Sequence, residues 1–596
     1  MSCARRHLVA LLIVMASLLV AAGCVNVPTS GPIEEVEGQQ PPCQNCVNVE
    51  VAPPASGDEP KQIVDGYLRA TSNYQPNYSV ARQFLTQMAA EKWSPEEGVS
   101  IYRGSLRAKD EATFNLTGQL VGSLAKDRTY TAEDQALNQN FGLKKENGEW
   151  RIDTLPSGLW VDEFYFTRFY QTYDLYFVGN GPSLVPDPIY LPVLRNPANV
   201  ASALMKALIN GPSKWLKPAV STALPPNTRL SVDSVTITDG GIAEVPLSDS
   251  VLALADPQRS LLAAQIVYTL KQVGGLKGVL IKVNQQPYRV PGGDPNSLVI
   301  SVDAIPRDMD PIPFVAGEQP YAVQDGAVKQ VTTSSDAPTV SPLARPLGGV
   351  AYDVDALAVS VTNTDVALTT NGRTTLRRAP IAKGEPTTLL NGASEGVSDL
   401  LRPQFTRYGE IWDIGRQGGR QWIWVHSAGK KAPSRIDLPM LQDGKDVTAF
   451  KISPDGTRMA FVRRTKTGTA FELGLARIIR ADNKIMVDGW RQLDTMQANM
   501  QQIERIADVA WLDATELLVL GAAKTDSAYA PFRVVQDASQ ITKEGEPENW
   551  NAIELAVLPR TQSAIILGRG GQTWKDNGSQ WVRFVDKAVS TIAYPG

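Results

Sequence analysis

Apolar side chains recur every four positions at Val200, Leu204 and Leu208, and again at Leu262, Ile266 and Leu270, which is the spacing of one buried helix face. The two runs open at Asn196-Pro197 and Asp256-Pro257 and stop at Gly211-Pro212 and Gly274-Gly275, the punctuation of helix ends. Strand-like runs lie between and after them. Leu230 to Ile237 and Ile242 to Leu247 are joined by Asp239-Gly240-Gly241, whose glycines supply a tight turn, and Val279 to Val283 and Leu298 to Ile300 follow. Residues 192–303 therefore predict a compact α/β sandwich.

Upstream, Ile63, Tyr67 and Ala70 predict one helix, and Phe84, Leu85 and Met88 a second. The alternating run Phe141 to Lys145, the pair Asn147-Gly148 and then Trp150-Arg151-Ile152 form a hairpin signal. Helices followed by a terminal antiparallel hairpin that carries a Trp resemble an NTF2-like or cystatin-like α+β domain, placed at residues 61–178. Asp153, just after the last strand, reads as solvated.

From 307 to 596 the pattern is all-β. Its sharpest element runs from Phe450 to Val462, two strands about Pro454-Asp455-Gly456: proline presets φ, the Asp side chain bonds the turn backbone, and glycine takes the left-handed position. Looser copies stand at Val350-Ala351-Tyr352 with Ala356 to Val361, at Pro403 to Ile414, at Val509 to Trp511 with Leu517 to Leu520, and at Ile553 to Val557 with Ala564 to Leu567. A repeat of roughly fifty residues suits four-stranded propeller blades. Five blades can be counted, and the run Tyr321 to Val328 adds part of a sixth; an open β-sandwich is the rival fold. Trp412, Trp422, Trp424 and Trp511 sit on these strands and read as packing between blades.

The N-terminus has another grammar. Arg5, Arg6 and His7 precede an uncharged apolar stretch from Leu8 to Val20 and then Ala21-Ala22-Gly23-Cys24. The stretch is too short to span a bilayer, which needs roughly 20 residues. Basic start, short apolar segment and small residues before a cysteine make a signal peptide, residues 1–23. The last four residues resemble a bacterial lipobox, with Ala21 where Leu is commonest. That resemblance implies that Cys24 becomes the mature N-terminus and carries S-diacylglycerol and N-palmitoyl groups. Residues 24–60, rich in Pro, Gly, Ser and acids, then read as a flexible tether.

Composition narrows the chemistry. Loss of residues 1–23 removes Arg5 and Arg6 and no acid, leaving 56 basic residues against 62 acidic, so no basic face for nucleic acid is expected. The histidines are His7 and His426, and only His426 survives processing, so a His-dependent triad or a His-rich zinc site has almost nothing to draw on. His426 reads as a strand-end residue near the surface. Cys43 and Cys46, in a Pro/Gln/Asn-rich stretch rather than at a helix start, read as a local disulfide in an oxidising compartment. No metal, cofactor or catalytic residue is predicted.

The second segment, with its phrases Ala207-Leu208-Ile209-Asn210-Gly211-Pro212 and Ile242-Ala243-Glu244-Val245, resembles the GerMN domain of exported envelope proteins. Acylated cysteine, tether, α+β domain, GerMN domain and a C-terminal propeller of five to six blades, in that order, resemble the LpqB family of actinobacterial lipoproteins. The resemblance implies a non-enzymatic protein, lipid-anchored on the extracytoplasmic face of the cell membrane. It further implies binding to the external domain of MtrB, the sensor histidine kinase of the MtrA/MtrB two-component system, with effects on envelope homeostasis and cell division. Two alternatives stand beside it: an envelope glycan- or lipid-binding module, and a propeller-based hydrolase that would have to bring together acids such as Asp353, Asp355, Asp413 and Asp455.

Overall fold

A computed structural model describes residues 52–596, apart from 292, 334–337, 350–351, 466, 469–470, 483, 497–500, 524–527 and 546–549. The signal peptide, Cys24, Cys43, Cys46, most of the tether and the pair Val350-Ala351 lie outside the described residues.

In the first domain, helix α1 (Pro60–Ser72) turns Ile63, Val64 and Tyr67 onto a sheet, all three fully buried. Two short helices follow, α2 (Ser79–Gln83) and α3 (Gln87–Lys92), where the sequence suggested one continuous pattern. The break has a cause. Phe84 and Thr86 pair with Ile152 through backbone bonds of 2.8 and 2.9 Å, and the Thr86 hydroxyl then caps α3 by accepting from Ala89 N, leaving Met88 exposed. Strands β1 (Val99–Ala108), β2 (Thr113–Leu124), β3 (Tyr130–Glu146) and β4 (Glu149–Thr154) form an antiparallel meander, and β5 (Leu159–Asp162) joins β1 in parallel. Asn147 and Gly148, at φ of 53° and 85°, make the two-residue turn between β3 and β4. Asp153 is not solvated as expected: it is half-buried, 2.7 Å from Lys144 Nζ, and the Lys144 hydrogen bond holds its carboxyl below the usual range.

The second domain begins with a hairpin, β6 (Tyr170–Val178) and β7 (Leu184–Pro192), whose Phe177 and Ile189 enter the same core as helix α5 (Pro197–Asn210). (The short helix Glu163–Phe169, α4, precedes the hairpin.) Strand β9 (Ile242–Leu247) pairs with the short β8 (Thr236–Ile237) and, across the crossover helix α6 (Asp256–Leu270), lies parallel to β10 (Gly278–Val283). The strand expected from Leu230 shrinks to two residues plus a bridge from Leu230 to Leu247: the Ser231 amide still bonds the Pro246 carbonyl of β9, but the Ser234 amide turns back to the Val232 carbonyl. Leu204, Leu208, Leu262, Ile266 and Leu270 are all fully buried, as their spacing requires. Each such side chain contributes about 1.5–3 kcal/mol of apolar burial. Helix α6 is covered on more than one face: Tyr268 packs with Val178 and Leu184 of the hairpin, and Thr269 Oγ1 accepts from Tyr176 N at 3.1 Å.

Residues 321–593 build six antiparallel sheets among the described residues. The 450–462 hairpin is the inner half of the fourth, with Asp446–Ile452 paired to Arg458–Arg464 about a turn in which Gly456 stands at φ 78°. The first sheet explains the incomplete sixth repeat. Tyr321–Gln324, Ala327–Thr332 and Thr339–Pro342 come from its start, and the innermost strand, Thr591–Ala593, comes from the other end of the chain. Innermost strands of neighbouring blades touch at five of the six junctions, and the third and fourth blades share a core of Trp412, Ile414, Phe450 and Ile452, so the sandwich alternative is overturned and the sheets close as a propeller. Trp412 and Trp511 are fully buried, each between the strands of neighbouring sheets, and Trp424 is nearly so.

Candidate functional site

A propeller's axis is where inner strands converge, and here it is filled by charge. Arg402, ahead of the innermost strand Gln404–Phe405 of the third blade, donates to Asp508 of the fifth at 2.7 Å and to Glu554 of the sixth at 3.2 Å. It also donates to the Leu555 carbonyl at 2.8 Å, and Glu554 accepts from Thr591 Oγ1 and Ile592 N of the closing strand at 2.9 and 3.1 Å. Lys451, half-buried on the fourth blade, adds a second cation; burial first, and then the Arg402 charge, pull its amine down to about 7. The sequence carried no signal for this cluster, because its members are scattered over 190 positions. Through Arg402 it joins the third blade to the fifth and sixth, neither of which it adjoins.

One end of the axis is capped by the segment that enters the propeller. Arg407 donates to the carbonyls of Asp308 and Asp310 at 2.9 and 2.8 Å, Arg560 holds Asp310 at 3.2 Å and bonds the Ile312 carbonyl, and the Arg560 guanidinium lies 3.6 Å over the Phe314 ring. Under this cap the apolar cavity lined by Ile312, Phe405, Trp511 and Val557 measures only about 30 Å³, room for solvent rather than a substrate.

The acids that the hydrolase alternative would need are not brought together. Asp353 is exposed, Asp355 accepts from Arg373 N at 2.7 Å in the second blade, and Asp413 is fully buried in the third, accepting from Ile414 N at 2.7 Å. Burial pushes the Asp413 carboxyl well above the usual range. Asp455 keeps its turn role, accepting from Thr457 N and Ser453 Oγ at 2.8 and 2.9 Å, and also pairs with the buried Arg458. His426 is buried rather than near the surface: at the end of its strand the ring is folded in, with Nε2 2.9 Å from the Lys430 carbonyl.

Arg458 marks a second feature, the seam between the propeller and the other domains. Its guanidinium donates to the Pro186 carbonyl of β7 at 3.2 Å and to the Ala514 carbonyl at 2.9 Å, and also reaches Gln536 Oε1. Nearby, Tyr190 donates to Asp537 at 3.0 Å, Trp215 Nε1 to the Gly489 carbonyl at 2.7 Å, and Tyr408 to the Asn180 carbonyl at 3.0 Å. Long polar side chains thus stitch the second domain to blades three, four and five.

Comparison with known proteins follows the same division. Residues 53–167 match the family described as "Lipoprotein LpqB, N-terminal domain", residues 174–289 the "Sporulation and spore germination" (Germane) family, and residues 329–595 the "Lipoprotein LpqB beta-propeller domain". The chain belongs to the LpqB lipoprotein family. Relatives named "Lipoprotein LpqB" run along essentially its whole length. One from Cutibacterium acnes is 27% identical over 98% of both chains, one from Streptomyces avermitilis 24% identical over 96% of both, and one from Thermobifida fusca 27% identical over 88% of this chain and 89% of the relative. Like those relatives by name, a member of the LpqB family is a lipoprotein, and among the described residues no helix is long and apolar enough to cross a membrane.

Proposed function

We propose that this chain is a membrane-anchored extracytoplasmic adaptor, held by acyl chains on Cys24, that binds the external domain of an MtrB-like sensor histidine kinase and biases its signalling, and through it envelope homeostasis and cell division. Anchoring rests on the lipobox Ala21 to Cys24 and on the naming of the relatives as lipoproteins. Each buried CH₂ adds about 0.8 kcal/mol, so several acyl chains hold a body at the surface where one would not. Confinement raises the effective concentration of the body next to a membrane-embedded partner, and a weak contact is then enough. The partner's activity changes only if one signalling state is bound better than the other; a tenfold preference corresponds to about 1.4 kcal/mol.

The observation that carries the non-catalytic side of this reading is Arg402 lying between Asp508 and Glu554, so that the two axial carboxylates serve the closure of the ring. A direct test reconstitutes the acylated protein in nanodiscs and titrates in the purified external domain of the kinase. Saturable binding that favours one kinase signalling state supports the reading, and absence of binding at any surface density contradicts it.

A further inference from the structure

The three domains meet at a cleft of about 530 Å³, walled by Thr129 and Asp127 of the first, Asp187 and Lys214 of the second, and Arg491 and Gln536 of the propeller. It shares Lys126, Asp127, Asp187 and Lys214 with a neighbouring cleft of about 520 Å³ that Arg128 and Lys217 also line. The hydrogen-bonding capacity of these walls is lopsided. Both oxygens of Asp187 and of Asp537, and Oδ1 of Asp127, already accept from donors of the protein. Asp187 accepts from Ser213 N and Oγ at 2.6 and 2.9 Å, Asp537 from Tyr190 Oη and Ser539 N at 3.0 Å each, and Asp127 from Thr129 N and Oγ1 at 3.1 and 2.6 Å.

The donors are not matched in the same way. Gln536 is only 2% exposed, and Arg458 fixes its amide by donating to Oε1, which turns Nε2 the other way with no acceptor in the protein. Arg491 gives one guanidinium nitrogen to the Gln536 carbonyl at 3.1 Å, while its buried Nε has no acceptor, and neither has the buried Nη1 of Arg128. Among the described residues Lys214 and Lys217 have no ion pair, whereas Lys126 and Lys206 are paired with Glu97 and Asp233 at 3.0 and 2.8 Å. Buried donors without acceptors are costly, and those that line one cleft favour an occupant that carries acceptors, water or an oxyanion.

We propose that this three-domain junction binds a phosphate-class oxyanion, free or carried on a polyol, held by Lys214, Arg491 and Gln536 with Arg128 at the adjoining end. The donors come from three separate domains and therefore from several directions. A tetrahedral oxyanion offers acceptors in all of them, while a planar carboxylate offers two coplanar oxygens. Occupancy would couple the domains, since each contributes part of the wall. This proposal is independent of the kinase contact, and its failure leaves that reading untouched.

The test is calorimetric titration of the full acylated protein in detergent micelles with inorganic phosphate, glycerol 3-phosphate and glycerophosphoinositol, with glycerol as the uncharged control. The expected result is saturable binding of at least one phosphate compound, none of glycerol, and at least a tenfold loss in Lys214→Glu and in Arg491→Gln. A preference for glycerophosphoinositol identifies a lipid headgroup as the source, and a preference for phosphate or glycerol 3-phosphate identifies a soluble one. Lys214 is exposed, so Lys214→Glu keeps the fold, which an unchanged thermal melt verifies. Absence of saturable binding by all three phosphate compounds, or equal affinity in the native protein and Lys214→Glu, overturns the proposal.

Discussion

The Tyr190 hydroxyl, on the second strand of the interdomain hairpin, donates to the Asp537 carboxylate of the fifth blade at 3.0 Å across 347 positions of sequence. The ring itself packs at a tilt against Tyr130 and Phe166 of the first domain, at 5.7 and 5.6 Å between centroids. One side chain therefore touches all three domains. Tyr190→Phe keeps the packing and removes the bond, leaving the buried Asp537 oxygen without its donor. A loss of about 1–3 kcal/mol is expected. An unchanged denaturation midpoint would rule out this role.

The buried pair Arg458 and Asp455 should dominate acid sensitivity at the seam. Burial alone would raise the Asp455 carboxyl; the Arg458 charge and the Thr457 hydrogen bonds outweigh it and hold it below the usual carboxylate range. A depressed carboxylate stabilises the fold fully above its ordinary value near 4, and that contribution fades as pH falls through the native value. Arg458→Met strands a buried charge and should cost about 3–5 kcal/mol at neutral pH. Adding Asp455→Asn should return part of that loss and flatten the acid limb of a stability profile. Independent, additive effects would contradict the pairing.

Lys451 has the same slope with pH for a different reason, because its charge burdens the fold where the Asp455 charge supports it. Its amine is drawn down to about 7 by burial and by Arg402, so between pH 7 and its ordinary value near 10.4 the unfolded chain binds more protons than the folded one. Stability should rise with pH in that window, and the full penalty applies below it. Lys451→Met should raise the melting temperature at pH 6 and remove the alkaline slope. A variant that melts lower at pH 6 would show that the amine supports the ring rather than burdening it.

Closure of the ring rests on three residue pairs, Tyr321 with Ala593, Ala322 with Ile592 and Val323 with Thr591. Removing residues 591–596 opens the edge of the first blade and also takes from Glu554 its Thr591 and Ile592 donors. Cooperative unfolding of the propeller should be lost and blade-one amides should exchange rapidly, as measured by hydrogen exchange. A truncated chain that melts like the native one would refute closure by this strand.

What the sequence made legible was local. The four-residue spacing on α5 and α6, the Asn147-Gly148 turn and the Pro454-Asp455-Gly456 hairpin all work through neighbours in the chain, so periodicity and turn chemistry reveal them. The closing strand was not legible, because Thr591-Ile592-Ala593 is too short to show a period and its partner lies 270 positions earlier. Asp455 reads as a turn residue, which it is; that it also carries a buried arginine facing another domain depends on Pro186, far away in sequence. The Arg402 cluster and the three-domain cleft were invisible for the same reason.

The anchored-adaptor account is tested most directly in intact cells. A photocrosslinking residue is placed at exposed positions around the propeller of the full-length lipoprotein, and the captured partner is identified by mass spectrometry. The account predicts adducts with the extracytoplasmic domain of a sensor histidine kinase, and their loss when Cys24→Ser releases the body from the membrane. Adducts that never include a kinase, or kinase adducts undiminished by Cys24→Ser, would contradict it.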